Sequence, residues 1–287
     1  MLKLEIRQGS KIFHAGKITL HALQDINLSI HENEFVTLVG ASGCGKSTLL
    51  RIIGGLENFT AGDVSVNAAP VTGPGLDRAM VFQDYSVYPW LTVAENIRFC
   101  RELKAHQQDN SLRATYHAIG RAHALLELMG LDNVKNAYPN QLSGGMRQRV
   151  AIARALMPAP EILLMDEPFG ALDAQTREVM HGLILHLFTQ ERSTIVFVTH
   201  DVEEAIYLAN RVVVMAPQPG RIDSIYNVPL PPAGQRHLDM KLAPEFLSLK
   251  KEILQRIRAT ARVHTDAGLL DKLTKQHHHD NEEGRSL

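Results

Sequence analysis

The stretch FVTLVGASGCGKST, residues 35–48, constrains the fold more than any other part of this sequence. A short apolar run is followed by a glycine-rich loop of the form G-x-x-x-x-G-K-[ST] and then by LLRIIGGL, which has the character of a helix. In this strand–loop–helix context the glycines let backbone N–H groups surround a phosphate, and the N-terminus of the helix attracts the same anion. Lys46 can reach the β- and γ-phosphates of a nucleotide, and the Ser47 hydroxyl can bind Mg²⁺. The predicted loop comprises Gly40, Ala41, Ser42, Gly43, Cys44, Gly45, Lys46, Ser47 and Thr48.

Two other interpretations of this loop fit less well. A glycine-rich turn that binds nothing would leave the Lys46-Ser47 pair and the correct flanking segments unexplained. A dinucleotide-binding loop needs the spacing G-x-G-x-x-G, which is not met here. A Mg²⁺-dependent nucleotide site is therefore the leading hypothesis.

A carboxylate pair is placed where such a site needs one. The segment ILLMDEP carries Asp166 and Glu167 directly after four apolar residues. Carboxylates at the end of a buried strand are costly unless they meet a cation. Asp166 is the candidate water-mediated Mg²⁺ partner, and Glu167 is the candidate residue that orients or deprotonates an attacking water. The alternative for Asp166 is a simple cap before a turn.

The remaining pattern predicts an α/β fold. Short β-branched runs at 35–39, 162–165, 194–198 and 211–215 are separated by long connections, which favours a parallel sheet covered by helices. The first 35 residues alternate more loosely and predict an antiparallel edge. Residues from about 94 to 158 are helical in pattern and interrupt the strand-bearing core, as an insertion. The chain after Pro217 is expected to be irregular, up to an amphipathic helix at 244–258.

Composition narrows the class of protein. Thirty basic and 31 acidic side chains nearly cancel, so no overall field directs this chain to nucleic acid. Two cysteines are too few for a disulfide framework and fit a reducing compartment. No segment approaches the roughly 18 apolar residues that span a bilayer, and the first residues lack the apolar core of a signal peptide. We expect a cytoplasmic protein that reaches a membrane only through a partner.

The segment LSGGMRQR at 142–149, together with the loop and ILLMDEP, resembles the nucleotide-binding subunits of ATP-binding cassette (ABC) transporters. The resemblance covers about residues 3–258 and implies a P-loop NTPase core with a parallel sheet, an antiparallel β edge and an inserted helical subdomain. We therefore expect a nucleotide-binding core at 1–86 and 159–240, a helical subdomain at 87–158 and a C-terminal amphipathic helix at 241–258. The polar composition of the last stretch predicts a partly disordered tail at 259–287. The resemblance also implies that ATP and Mg²⁺ are bound.

The same resemblance assigns further residues. Ser143, Gly144 and Gly145 would cover the ATP held by a second copy, which makes a head-to-tail homodimer with nucleotide in the interface. Gln83 would sense Mg²⁺ and the attacking water, and His200 would contact the γ-phosphate, although a core histidine is the alternative. Asp173 would cross the dimer interface. Phe13 would stack on the adenine, with a core position as its alternative.

Within the family, VFQDYSVYPWLTVAEN and FVTHDVEEAIYLANRVVVM look like the importer ATPases for nitrate, sulfonates and taurine. This implies a peripheral subunit on the cytoplasmic face, bound to a multi-span permease and served indirectly by an extracytoplasmic solute-binding protein. An exporter ATPase and a soluble non-transport ABC ATPase are the alternatives. The solute is not encoded in this chain, because specificity resides in the partners.

The aromatic segment YSVYPW contains the single tryptophan of the chain. We expect Tyr85, Tyr88 and Trp90 to lie near the permease contact, with the two tyrosines as the better candidates and core packing as the alternative for Trp90. Cys44, at a helix N-terminus, is expected to have a lowered pKa and to be open to modification. Residues 104–123 and the tail depart from the importer group. His277, His278 and His279 could bind metal, although a solvated tail is the more ordinary interpretation.

Overall fold

The computed structural model describes residues 1–16, 18–84, 86–102 and 112–260. The His277–His279 run and most of the 259–287 tail therefore lie outside the described residues, as do Tyr85 and residues 103–111. The strands are β1 Leu2–Ala15, β2 Ile18–His31, β3 Phe35–Gly40, β4 Ala61–Val66, β5 Ala69–Pro70, β6 Arg78–Val81, β7 Ile162–Asp166, β8 Thr194–Val198, β9 Arg211–Ala216 and β10 Arg221–Asn227. The helices are α1 Lys46–Ile53, α2 Val93–Arg98, α3 Leu112–Leu128, α4 Gly144–Leu156, α5 Ala174–Glu191, α6 Val202–Leu208 and α7 Pro244–Thr260.

The central sheet has the strand order β10-β9-β3-β8-β7-β6. Its strands from β9 to β6 run parallel, and all four apolar runs of the sequence are among them. Every residue of β3, β7 and β8 is buried, which explains the continuous apolar character of these strands. The predicted parallel sheet is confirmed.

The smaller sheet is antiparallel, with the order β2-β1-β4-β5. The first two strands form a long hairpin in which Phe13 pairs with Leu20. The antiparallel edge expected from the first 35 residues is therefore present. This hairpin later proves to form one wall of the candidate site.

Two apolar cores lie on opposite faces of the central sheet, because side chains alternate along each strand. On one face, Val36 and Leu38 pack with α1 and the antiparallel sheet. On the other face, Phe35 and Val39 pack with residues of α2, α4, α5, α6 and α7. This three-layer arrangement is the usual way to cover both faces of a parallel sheet.

The chain between β6 and β7 is helical, as the sequence predicts. Thr92 caps α2 in a capping box with Glu95, Ser143 caps α4, and Gly130, with φ of +61°, follows α3. The adjacent strands β6 and β7 are hydrogen-bonded neighbours, so this helical segment leaves and re-enters the sheet at one edge. The exact limits 87–158 remain a prediction.

Two expectations for the C-terminal part are wrong. The chain after Pro217 is not irregular, because β10 pairs with β9 in antiparallel orientation. This edge strand has exposed and half-buried side chains with neither a continuous apolar run nor a regular alternation, which is why periodicity missed it. Helix α7 also continues to Thr260, so residues 259 and 260 belong to the helix and not to the tail.

Gly182 offers a test of the helix assignment, because it lies exposed within α5 and a Cβ there would meet no heavy atom within 4 Å. Gly182→Ala should raise the free energy of unfolding by about 0.5–1 kcal/mol, since alanine restricts the unfolded backbone and favours helix. Thermal unfolding, followed by circular dichroism, measures the change. Gly55→Ala is the contrast: with φ of +73° and a Cβ 2.1 Å from the Gly73 carbonyl oxygen, it should destabilise. A lowered midpoint for Gly182→Ala would contradict the packing described for α5.

Candidate active site

The glycine-rich loop joins β3 to α1 and encloses the Lys46 side chain. Lys46 is 6% exposed, and its ammonium donates to the carbonyl oxygens of Gly40 at 2.9 Å and Ala41 at 3.2 Å. Gly45 has φ of +88°, and a Cβ on it would lie 2.6 Å from Leu23. A side chain is therefore excluded at this position by both conformation and space. The loop thus places a buried ammonium group at the start of a helix, an arrangement that is suited to binding an anion.

A hydrogen bond connects this loop to the end of β7. The Ser47 hydroxyl donates to Asp166 Oδ1 at 2.9 Å. Burial raises the pKa of Asp166, and the neighbouring Glu167 carboxylate raises it further, while the Ser47 hydrogen bond acts in the opposite direction. A buried carboxylate with this environment is a place where a cation would be stabilised.

Glu167 and His200 form the next pair outward. His200 Nδ1 lies 3.1 Å from Glu167 Oε2, and His200 is 66% exposed at its side chain, so the core interpretation of this histidine is wrong. Glu167 has φ of +43°, an uncommon conformation for a residue with a Cβ, and its N–H donates to the Val198 carbonyl oxygen at 3.0 Å. A strained backbone at a carboxylate beside a histidine is typical of a functional position.

These groups meet because β3, β7 and β8 are parallel and adjacent, so their carboxyl ends lie at one edge of the sheet. A cleft of about 480 Å³ opens there, a size suited to a nucleotide. Among the predicted residues, those that line it are Phe13, Ser42, Gly43, Cys44, Gly45, Lys46, Ser47, Thr48, Gln83 and Glu167. Gly40, Ala41, Asp166 and His200 are not among the lining residues but contact ones that are, as described above.

Phe13 stands on the hairpin wall of the cleft. Its ring is half-buried, and the Lys11 ammonium lies 4.7 Å from the ring centroid. Phe13 therefore lines the cleft and does not belong to either apolar core. Lys11 is held in place by Glu57 at 2.8 Å.

Four predicted residues do not join this cleft. Ser143 caps α4, followed by Gly144 and Gly145, and Asp173 caps α5; none of the four is among the residues that line the cleft. The two helix N-termini are neighbours, because a Cβ on Gly145 would lie 2.9 Å from Thr176, which donates to Asp173. Those hydrogen bonds lower the pKa of Asp173. The chain therefore carries a second surface, separate from its own phosphate loop.

Sequence reasoning missed part of the cleft wall. Leu20, His21, Ala22, Gln218 and Gly220 also line the cleft. Gly220 is packed against the loop: a Cβ there would lie 2.3 Å from the Cys44 carbonyl oxygen. The only signal in the sequence was the PG dipeptide at 219–220, which marks a turn but not its neighbour.

The expectation for Cys44 is wrong. The thiol is fully buried, and burial raises its pKa although the Lys46 ammonium, 3.7 Å away, acts to lower it. Desolvation outweighs the nearby charge, so Cys44 is a packing residue of the loop rather than a reactive thiol.

In the aromatic segment after Gln83, Trp90 is more exposed than Tyr88, although the sequence favoured the tyrosines as contact residues. Tyr88 is half-buried, with its ring 4.5 Å from Phe99 and the Arg154 guanidinium 4.7 Å from its centroid. Trp90 is 67% exposed and touches the ring of Tyr88, at 5.4 Å between centroids. Among the described residues of this segment, Trp90 rather than Tyr88 is therefore the exposed large aromatic side chain.

Across the part of the chain that the structure describes, no helix combines the length and the apolar character needed to cross a bilayer. The same residues contain no cluster of three or more His, Cys, Asp or Glu side chains that could hold a metal.

Comparison with known proteins agrees with the site. The family model described as ABC transporter matches residues 23–170. The nitrate import ATP-binding protein NrtD of Synechocystis is 44% identical, over 93% of this chain and 99% of its own length. The aliphatic sulfonates import ATP-binding protein SsuB of Bacillus licheniformis is 39% identical, over 90% and 96%. An uncharacterized ABC transporter ATP-binding protein of Methanocaldococcus jannaschii is 46% identical, over 88% and 90%.

Among solved structures, a dimeric ATP-binding cassette in a post-hydrolysis state with ADP and Pi superposes with a TM-score of 0.69. It is 34% identical and is covered over 98% of its length, with 78% of this chain. The fold is therefore that of an ABC ATPase cassette. By sequence and by fold the chain belongs to the ABC transporter family, as one of its transport-coupled ATPases.

Proposed function

We propose that this chain is the ATP-hydrolysing subunit of an ABC importer for a small solute. The observation that carries the proposal is the convergence of Lys46, Ser47, Asp166 and the Glu167–His200 pair at the carboxyl edge of one parallel sheet. That edge combines an anion cradle, a carboxylate for a cation, and a base with a histidine beside it, which are the parts that phosphoryl transfer requires.

The residues present fit Mg²⁺. The ion prefers oxygen ligands and keeps several waters and phosphate oxygens, so one hydroxyl and one carboxylate suffice from the protein. Ser47 Oγ and Asp166 Oδ1 are 2.9 Å apart and would hold it, with Gln83 on the same cleft. Bound there, Mg²⁺ would neutralise charge on the β- and γ-phosphates.

The protein residues then divide the remaining work. Lys46 and the loop N–H groups bind the phosphates, and the Phe13 ring stacks on the base. Glu167 accepts a proton from the water that attacks the γ-phosphorus, while the bond to the β–γ bridging oxygen breaks and ADP leaves. His200, held 3.1 Å from Glu167, donates to the transferring phosphoryl group. Gln83 also lines the cleft and directly precedes the aromatic segment in sequence.

The second surface supports a homodimer. The N-termini of α4 and α5 lie outside the cleft of their own chain, yet they have the character of an anion site without a lysine. In a head-to-tail pair, Ser143, Gly144 and Gly145 would cover the ATP bound at Lys46 of the other copy, and Asp173 would lie in the interface. The dimeric cassette of similar fold supports this assembly.

The transport partner is inferred from the relatives and from one surface. Two relatives named for nitrate and sulfonate import favour a small oxyanion or organosulfur solute, a multi-span permease and an extracytoplasmic solute-binding protein. We place the subunit at the cytoplasmic face of the membrane, with residues 1–86 and 159–240 as the nucleotide-binding core and 87–158 as the helical subdomain. Trp90 is the proposed centre of the permease contact, near Tyr85 and Tyr88, because exposed aromatic side chains dominate binding interfaces.

Asp166→Asn should separate stability from function. Burial raises the pKa of Asp166, so its ionised form is disfavoured in the folded state. The free energy of unfolding is therefore lowered at pH values above that raised pKa, where Asp166 is ionised. The variant should therefore melt at a higher temperature than the wild type at pH 7 without nucleotide. The difference should shrink as the pH falls and Asp166 itself becomes protonated. Affinity for Mg²⁺ in the presence of ATP should fall about 10- to 100-fold.

The control for that variant is Asp63→Asn, which changes an exposed carboxylate on β4. It should alter neither the melting temperature nor the Mg²⁺ dependence. A lower melting temperature for Asp166→Asn at pH 7 would contradict the electrostatic account of the site.

Glu167→Gln should abolish turnover while leaving nucleotide binding intact. We expect ATP hydrolysis to fall by at least about 100-fold, since the amide cannot accept the proton. A dimer should accumulate with Mg·ATP in size-exclusion chromatography. Glu161→Gln, at the opposite end of the same strand, is the control and should hydrolyse ATP normally. Undiminished hydrolysis by Glu167→Gln would remove Glu167 from the proposed role.

Trp90→Ala should weaken the permease contact without affecting the isolated ATPase. The measurement is co-purification of a multi-span protein with the tagged chain from solubilised membranes, beside ATPase assays of the free subunit. Leu242→Ala, which removes another large apolar side chain that is 76% exposed, is the matched control. If Trp90→Ala lost both the co-purifying protein and the ATPase activity of the free subunit, Trp90 would instead have a packing role.

A further inference from the structure

A buried polar pair lies behind the proposed catalytic groups and has no place in the mechanism above. His181, on the inner face of α5, lies with Nε2 2.7 Å from Glu204 Oε1 on α6, and their side chains are only 3% and 5% exposed. With an ionised Glu204, Nε2 carries the hydrogen and donates it. His181 Nδ1 is buried and has no hydrogen-bond partner among the described residues. Such a pair costs desolvation that an apolar pair would avoid, so its contribution is not one of stability alone.

The pair connects three segments that bear site residues. Helix α5 begins after Asp173, and α6 begins two residues after His200. The ring of His181 also contacts the ring of Phe169, two residues after Glu167, at 5.7 Å between centroids. Within α6, the Glu204 N–H donates to the capping Asp201 carboxylate, adjacent to His200. The pair is therefore connected to Glu167 through Phe169 and to His200 through Asp201.

A small cavity of about 20 Å³ lies between the pair and the site. It is lined by Glu167, Phe169, His200 and Glu204, together with Gly170, Arg177, Thr199 and Asp201. Its volume is about enough for one water molecule, so the space separating Glu204 from Glu167 and His200 is narrow. Neither His181 nor Glu204 is among the residues that line the nucleotide cleft.

We propose that His181 and Glu204 are positioning residues that hold the side chains of Glu167 and His200 in the positions that hydrolysis requires. The inference rests on the roles proposed above for Glu167 and His200. It predicts that the hydrogen-bonded pair affects turnover and not nucleotide binding, because neither member of the pair lines the nucleotide cleft.

The decisive variant removes the pair without leaving a charge unpaired. His181→Phe combined with Glu204→Leu replaces it by apolar side chains that can pack against Phe169 and Tyr207, the second ring in contact with His181. We expect this double variant to melt no lower than the wild type and to bind a non-hydrolysable ATP analogue normally. Its kcat should fall about 10- to 100-fold with little change in KM, as for other displaced catalytic groups.

His181→Gln tests the geometry, since its amide nitrogen can donate to Glu204 from nearly the same position. This variant should recover most of the turnover lost in His181→Leu. Glu203→Gln is the matched control on the adjacent residue of α6, where the carboxylate pairs outward with Lys250 at 2.7 Å. It should hydrolyse ATP at close to the wild-type rate.

A double variant that folds and turns over like the wild type would overturn the proposal. Should the double variant not fold, equal kcat values for His181→Leu and His181→Gln would overturn it instead. An equal fall in kcat in Glu203→Gln and in the pair variants would also overturn it, because any disturbance of α6 would then have the same effect. Glu167→Gln run in parallel keeps the two hypotheses apart: if that variant still hydrolyses ATP, the assignment of Glu167 fails first.

Discussion

The hydrogen bond from Ser47 to Asp166 is the interaction on which the site depends. It joins residues 119 positions apart, one on the first helix after the phosphate loop and one at the end of β7. It can form only if β3 and β7 lie in the same parallel sheet with one strand, β8, between them. The packing of both apolar cores against that sheet therefore fixes the distance between the anion cradle and the carboxylate.

Most of the central sheet could be predicted because its signal is local. A fully buried strand needs a continuous apolar run, and β3, β7 and β8 have one each. The phosphate loop was predictable for a related reason, since an anion held by backbone N–H groups requires glycines and a lysine at fixed spacing along one short segment. The edge strand β10, whose side chains are exposed or half-buried without regular alternation, carried no such signal and was missed.

The predictions that failed concern residues whose environment is set by neighbours distant in sequence. The thiol of Cys44 was expected to be reactive from its place before a helix, but the closely packed Gly40 and Gly220 backbones leave it buried, and desolvation decides its pKa. The sequence could not show which of Tyr88 and Trp90 is more exposed, because only the contacts of Tyr88 with Phe99 and Arg154 reveal that its ring is the covered one. Neither the wall at Gly220 nor the pair behind Glu167 follows a local pattern.

Helix α6 shows why an exposed histidine can still be accurately placed. His200 itself is open to solvent, but the helix after it is anchored in the interior, where Glu204 binds His181. The outward pairs of Glu203 with Lys250 at 2.7 Å and with Lys241 at 3.3 Å are partly exposed and add little to this anchoring. At the far end, Arg236 donates to the carbonyl oxygens of Tyr207 and Ala209; burial lowers its pKa to about 10, which still leaves it charged at neutral pH. The contact with α5 near the start of α6 and the contacts with the segment before α7 at its far end therefore hold both ends of this helix, and a displacement of His200 would be opposed by both.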